Sequence, residues 1–300
     1  MLYNFFNHPI VKIFFTVLFS FGIFFISLIL FLSALIRIIN DDTPLITEPN
    51  SIGVIEVTGI INDSKDALET LSKYSEDENI KAIIFKINSP GGGVVPSQEI
   101  YSEILKVKEK KRVYAYFQSL AASGGYYIGC ACNKIIANPG TVTGSIGVII
   151  EFTNFEKLFN KIGIDAVFIK SGKFKDTGNP FRPMTEDEKL WISEVVQNIY
   201  NQFLNAVSVN RNIPIDSLKE IADGRIFTGE QALKYNLIDK IGNFNDLISI
   251  IKAELNLPDK PKIIYIEKKR DLIGKLFENS EKVFLKFLEN KLLSINYNLN

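Results

Sequence analysis

Apolar and polar residues change their spacing several times along this chain, and the first change is the sharpest. From Ile13 to Ile36 the sequence IFFTVLFSFGIFFISLILFLSALI runs 24 residues without a charge. As a helix rising about 1.5 Å per residue it would be roughly 36 Å long, enough to cross a hydrocarbon layer of about 30 Å. The apolar part of a cleavable leader is shorter, about 7–15 residues, and is followed by a small-residue cleavage site. The segment after this run, RIINDDTPLITEPN, has no such site. The expectation is a retained transmembrane helix over residues 13–36, behind a short segment 1–12 and ahead of a linker 37–50. Lys12 precedes the run and Arg37 follows it, so the basic residues orient it only weakly. A short N-terminus inside and the large domain outside is the expected arrangement.

Beyond residue 50 the period alternates between strand-like and helix-like. IGVIEV (52–57) and IKAIIFKIN (80–88) are short β-branched runs, and RVYAYF (112–117) is another. Between them, DSKDALETLSKYSED (63–77) opens with capping residues and places Ala67, Leu68, Leu71 and Tyr74 at helical spacing. SQEIYSEILKVKEKK (97–111) reads as a charged amphipathic helix, and SGGYYIGCAC as a further helix. KIIANP and GSIGVII look like strands. A long helix is predicted over 185–211, with Thr185 and Glu188 forming a capping box, and a smaller one near 245–255. Strands separated by helices imply βαβ crossovers around a largely parallel sheet, an α/β domain over residues 51–255. The remainder, 256–300, reads as an extension whose stretch 272–293 repeats apolar residues at helical intervals. That pattern fits a docked helix or a stripe for oligomer or membrane contact.

Composition narrows the function classes. The chain has 34 acidic and 34 basic side chains, so neither nucleic-acid binding nor disorder is suggested by charge. Its two cysteines, Cys130 and Cys132, are two apart, a poor spacing for a disulfide and too few ligands for zinc. They read as buried, inert thiols.

Candidate chemistry collects at two glycine-rich breaks. In NSPGGG (88–93), at the end of a buried strand, amides near Gly91 and Gly92 can face a cavity without a Cβ in the way, as an oxyanion hole requires. The same residues also make an ordinary Pro-Gly turn. In AASGGYY, Ser123 stands among small residues before a helix, as a nucleophile does, or as a plain helix cap. The usual base for a nucleophilic serine is histidine, and the one histidine is His8, ahead of the apolar run. Lysine is the known substitute. At its reference pKa of about 10.4 a lysine is only about 0.1% neutral near pH 7.5, whereas burial that lowers it to roughly 8 leaves about a quarter neutral. IKSGKFKDTGNPF (169–181) offers Lys170, Lys173 and Lys175, and spacing does not choose among them.

INSPGGG, AASGGYYI, TVTGSIGV, KSGKFKDTGNPFRPMTEDE and GRIFTGEQALKYNLID occur in that order over roughly residues 50–255. Together they resemble the bacterial signal peptide peptidase A (SppA) family, membrane-anchored serine–lysine peptidases of the ClpP/crotonase fold, in its short single-copy form. The resemblance implies Ser123 as nucleophile, Lys175 of KFKD as general base, and Ser145 of TGSIG as the residue that orients the lysine. It implies an oxyanion hole from the amides of Gly91 or Gly92 and of Gly124. Asn236 stands where the family usually has glycine, and asparagine tolerates the left-handed conformation best among the other residues.

The resemblance also implies a substrate class of cleaved signal peptides and other apolar or unfolded peptides, with no metal or organic cofactor and no nucleic acid. A homo-oligomer in the bacterial cytoplasmic membrane is implied, its active sites near subunit interfaces and its catalytic domain on the extracytoplasmic side. The resemblance further implies that neighbouring subunits share a site, in keeping with Lys175 following Ser123 by 52 residues on a long connection. Alternatives of other classes are a crotonase-fold enzyme acting on acyl-CoA, a protease dedicated to one membrane partner, and an inactive scaffold.

Overall fold

The structure is a computed structural model that describes residues 9–39 and 47–266. The stretch 272–293 and His8 lie outside the described residues. The chain divides into two units.

The first unit contains helix α1 (Pro9–Ile39), 31 residues that include the uncharged run. Its described side chains from Val17 to Ser33 are all exposed. Among the described residues no helix is long and apolar enough to cross a membrane.

The second unit, residues 47–266, is an α/β domain. Its strands are β1 (Ser51–Thr58), β2 (Ile80–Ser89), β3 (Arg112–Ala122), β4 (Lys134–Ala137), β5 (Val142–Gly144), β6 (Ile226–Thr228), β7 (Lys240–Ile241) and β8 (Ile263–Tyr265). They form one sheet in the order β6-β5-β3-β2-β1-β8, with β4 beside β3 and β7 beside β4. Every pairing is parallel except β5 with β6. Strand β8 lies past residue 255, the end expected from the sequence, and completes the sheet beside β1.

Helices cover both faces, which is why β2 reads as an almost continuous apolar run. On one face Ile52, Val54, Ala82, Ile84, Tyr114, Tyr116 and Ile136 pack with Leu247 and Ile251 of α9 (Phe244–Leu255). Alternation sends Ile83, Phe85 and Ile87 to the other face. That side is covered by α2 (Lys65–Glu76), α3 (Val94–Val107) and α4 (Gly124–Cys130). Buried Tyr74 of α2 reaches across to donate its hydroxyl to the Ile264 carbonyl at 2.9 Å. Cys130 and Cys132 are buried and unbridged, and burial pushes the Cys130 thiol up to about 12.

Beyond β5 come the short α5 (Glu156–Lys161) and the long α6 (Glu186–Arg211). Then follow α7 (Ile215–Lys219) and α8 (Gly229–Lys234). The capping box of α6 is present as expected: Thr185 accepts from the Glu188 amide, and the Glu188 carboxylate accepts from the Thr185 amide. Asn236 is left-handed with φ 58°, as its place in the motif required.

One element differs. GSIGVII was expected as a strand, but β5 ends at Gly144 and residues 145–150 carry no strand. Gly144 at φ 80° and Ser145 at φ 50° turn the chain out of extended geometry, so no ladder continues. Ile149 is left 89% exposed.

Candidate active site

Strands β2 and β3 end side by side, and the loops after them meet at the edge where ligands of parallel sheets bind. Ser123 follows the last residue of β3 and precedes α4, with φ 52° and ψ −119°. That conformation costs a non-glycine residue roughly 1–3 kcal/mol, so the surroundings must enforce it. They do: the Ser123 amide donates to the Gly144 carbonyl at 2.9 Å, and the Ser123 carbonyl accepts from Tyr127 at 2.9 Å. The side chain is half-buried and its hydroxyl has no hydrogen-bond partner among the described residues.

The NSPGGG turn closes over the same point. A Cβ on Gly91 (φ 102°) would come within 2.7 Å of the Gly124 nitrogen and 2.8 Å of the Ser123 Cβ. A Cβ on Gly92 (φ 157°) would collide with the backbone of Ile61. These positions have no room for a side chain, so the glycines are required by close approach as well as by φ. The turn is tied down through Ser89, whose hydroxyl donates to the Gly59 carbonyl at 2.6 Å and accepts from the Gly91 amide at 3.0 Å.

The two candidate amides are thereby distinguished. Gly91 spends its N–H on Ser89, while its carbonyl accepts from Ile61 at 2.9 Å. The amides of Gly92 and Gly124 have no acceptor among the described residues, and Gly124 is the first residue of α4, where a helix leaves its N–H groups unpaired. An ideal Cβ on Gly124 would sit 3.4 Å from the Gly92 nitrogen, so the two donors are neighbours.

Beside Ser123 opens a small cavity that communicates with solvent. Val94, Tyr127, Val148, Ile199 and Phe203 supply apolar walls, with Gln98 at the rim. The Tyr127 and Phe203 rings meet at 4.9 Å between centroids, tilted by 59°. No carboxylate or ammonium lines it, so it suits an uncharged side chain. These walls had no signal in the sequence, because they come from α3, α4, α6 and the loop after β5.

Ser145 lies one residue beyond the carbonyl that anchors Ser123 and is half-buried, its amide donating to Arg225 at 2.8 Å. The structure therefore brings Ser123, Ser145, Gly91, Gly92 and Gly124 together. Lys175 stands apart: it is exposed, lies in a turn over 171–178, and is not among the residues lining the cavity. That turn follows residues 164–170, which carry no strand. Of the three candidate lysines, Lys170 pairs with Asp176 at 2.5 Å and Lys173 pairs with Asp187. Lys175 has no carboxylate partner among the described residues.

Residues 105–258 match peptidase family S49. A putative protease of Synechocystis sp. is 40% identical over 224 residues, spanning 74% of this chain and 81% of its own length. A putative signal peptide peptidase SppA of Enterococcus faecium is 40% identical over 230 residues, 74% of this chain and 66% of that protein. Among solved structures, a serine-to-alanine mutant of the membrane-bound stomatin-specific protease 1510-N superposes with a TM-score of 0.51 at 18% identity. The match covers 74% of this chain and 99% of that one, and at such identity the likeness is one of fold. The SppA resemblance read from the five motifs is borne out by these matches.

Proposed function

The chain belongs to peptidase family S49, and we propose that it is a membrane-anchored serine endopeptidase working through Ser123 and Lys175. The observation that carries the reading is the strained Ser123 at the start of α4, beside two unpaired amides and an apolar cavity. Ser123 Oγ attacks the scissile carbonyl carbon while the neutral Lys175 amine takes its proton. The developing oxyanion accepts hydrogen bonds from Gly92 and Gly124, donors of the kind worth about 10²–10³ in rate. The C–N bond then breaks and the lysine ammonium returns the proton to the leaving amine. Water attacks the acyl ester, passing a proton to Lys175 and releasing the carboxylic product with Ser123 regenerated. Ser145, one residue from the Gly144 carbonyl that holds Ser123, is the group we assign to orient the amine.

An exposed Lys175 outside the cavity favours a base delivered by a neighbouring subunit. The segment between β5 and α6 carries Ile149, Val167 and Ile169 at 89%, 87% and 99% exposure. Apolar surface on this arm suits a second copy of this chain, whose contact would remove water from Lys175 and favour its neutral form. The uncharged run within α1 suits a single-pass anchor that holds the domain at the cytoplasmic membrane, on the extracytoplasmic side. Substrates in this reading are cleaved signal peptides and other apolar or unfolded segments, which fit an uncharged cavity and remain at the bilayer.

The test is hydrolysis of an apolar signal-peptide substrate by the full chain in detergent, beside Ser123→Ala and Lys175→Ala variants matched for folding and assembly. Cleavage by wild type with both variants silent supports the reading. Unchanged cleavage by Lys175→Ala rejects the base, and a folded, assembled wild type without activity returns the inactive scaffold.

A further inference from the structure

The turn that carries Lys175 has little to hold it. No helix or strand runs from residue 162 to residue 185, and the backbone bonds within the turn are local ones, such as Lys175 to Gly172 at 3.2 Å and Asn179 to Asp176 at 3.1 Å. Beside the packing of Phe174 near Trp191 and of Gly178 against Phe152, it is fixed by a cluster of charges at the N-terminus of α6. Arg182 donates from Nε to Asp176 Oδ2 at 3.0 Å and from Nη2 to the Asp176 carbonyl at 3.2 Å. The same guanidinium donates to Glu188 through Nη1 at 2.9 Å and Nη2 at 2.5 Å. Glu188 is 1% exposed and is already fixed by the capping box with Thr185. Thr177, two residues past Lys175, donates to Glu188 at 3.4 Å.

The charges around the turn can be accounted for one by one. Asp187 is taken by Lys173, Glu186 by Lys189, Glu188 by Arg182, and Asp176 by both Arg182 and Lys170. Every acidic group facing the turn from its own residues or from the first turn of α6 is thus occupied. Lys175 is the cation left over, although its chain neighbour is a carboxylate. A free Asp176 beside it would favour the ammonium form and so disable a base that must be neutral.

Resting on the reading that Lys175 is the base, we infer that Arg182 is a positioning residue with two effects. It clamps the Lys175 turn to α6 through Asp176 and Glu188, and together with Lys170 it withholds Asp176 from Lys175. A fork with five donors can bridge two carboxylates in this way, whereas a lysine offers a single point charge.

The test uses the full chain in detergent, following peptide hydrolysis from about pH 6 to about pH 10, where a general base shows as a rising limb. Arg182→Gln should lower kcat at neutral pH about tenfold or more, leave KM within about twofold, and move the limb measurably upward, by up to about one pH unit when Lys170→Gln is added and Asp176 loses both partners. Adding Asp176→Asn to Arg182→Gln should return the limb to its wild-type position while leaving thermal stability low. A limb that stays in place in Arg182→Gln, with only its amplitude reduced, overturns the inference, as does a double variant whose limb fails to return. If Arg182→Gln does not fold, Arg182→Lys takes its place: a limb moved upward supports the inference and an unmoved limb overturns it. Lys175→Ala is measured alongside. Activity surviving there means the base assignment has failed, whereas a silent Lys175→Ala with unmoved Arg182 profiles means that only the present inference has.

Discussion

The amide of Ser123 donates to the carbonyl of Gly144 at 2.9 Å. This bond carries the pairing of β3 with β5 one residue past the end of β3, and there both chains leave extended geometry: Ser123 has φ 52° and Ser145 has φ 50°. Two serines are presented at one sheet end because neighbouring strands terminate together. The strain at Ser123 is held by the strands behind it and by the bond from Tyr127 in front.

That strain can be measured by comparing two inactive variants. Ser123→Ala keeps the Cβ in the unfavourable region, whereas Ser123→Gly removes the conflict. We expect Ser123→Gly to be more stable than Ser123→Ala by about 1 kcal/mol in denaturant unfolding, the conformational relief exceeding glycine's entropic cost. Equal stabilities would mean that the conformation is not strained in solution.

Gly92 should be intolerant of a methyl group. Gly92→Ala drives a Cβ into the Ile61 backbone and displaces an amide assigned to the oxyanion. The expected result is a kcat about 10²–10³ lower with KM little changed. A kcat within about threefold of wild type would exclude the Gly92 amide from the reaction.

Ile199 lines the cavity and is half-buried, so it can be shortened with less damage than a core residue. Ile199→Ala should shift preference toward bulkier apolar side chains next to the scissile bond, by about tenfold in relative kcat/KM. A peptide-library profile identical to wild type would place the specificity wall elsewhere.

If neighbouring subunits share a site, mixed assemblies of Ser123→Ala and Lys175→Ala chains contain some sites with both groups intact. Such mixtures should recover a fraction of wild-type activity while each variant alone is silent. No recovery, in assemblies shown to be mixed, would locate Ser123 and Lys175 of one site in a single chain.

Acid should release the Lys175 turn. Arg182, then the Thr185 amide, holds the Glu188 carboxyl at about 2 against an ordinary 4.5. Arg182 and Lys170 hold Asp176 well below the usual carboxylate range. A depressed folded pKa gives stability that is complete above the unfolded value and lost as pH falls through the folded one. Proteolytic nicking within 171–184 by an acid-tolerant protease should therefore rise between about pH 4.5 and about pH 2. In Arg182→Gln it should already be high at pH 6. A nicking rate flat across that window would mean that the charges do not hold the turn.

Much of this molecule is legible locally. The β-branched runs of β1 and β2, the helical spacing of Leu71 and Tyr74, and the Thr185–Glu188 capping box all appear where their patterns place them. Each depends on residues a few positions apart. The absence of a usable histidine and the small residues around Ser123 pointed to a serine with an unusual base for the same reason. GSIGVII failed because a β-pattern cannot reveal that Gly144 and Ser145 turn away from the ladder.

What only the tertiary structure decided involves partners far apart in sequence. Gly91 and Gly92 are equivalent as sequence, yet Ser89 takes the first amide, and the approach of Ile61 leaves the second unpaired. Lys170, Lys173 and Lys175 are likewise equivalent until Asp176 and Asp187 claim two of them. The cavity walls Tyr127 and Phe203 meet only because α4 and α6 pack together. Periodicity and capping are written along the chain, so the sequence by itself determined most of the elements and singled out Ser123 as the candidate nucleophile. Which donor stays unpaired and which cation stays unclaimed depend on competition among distant groups, and only packing resolves that competition.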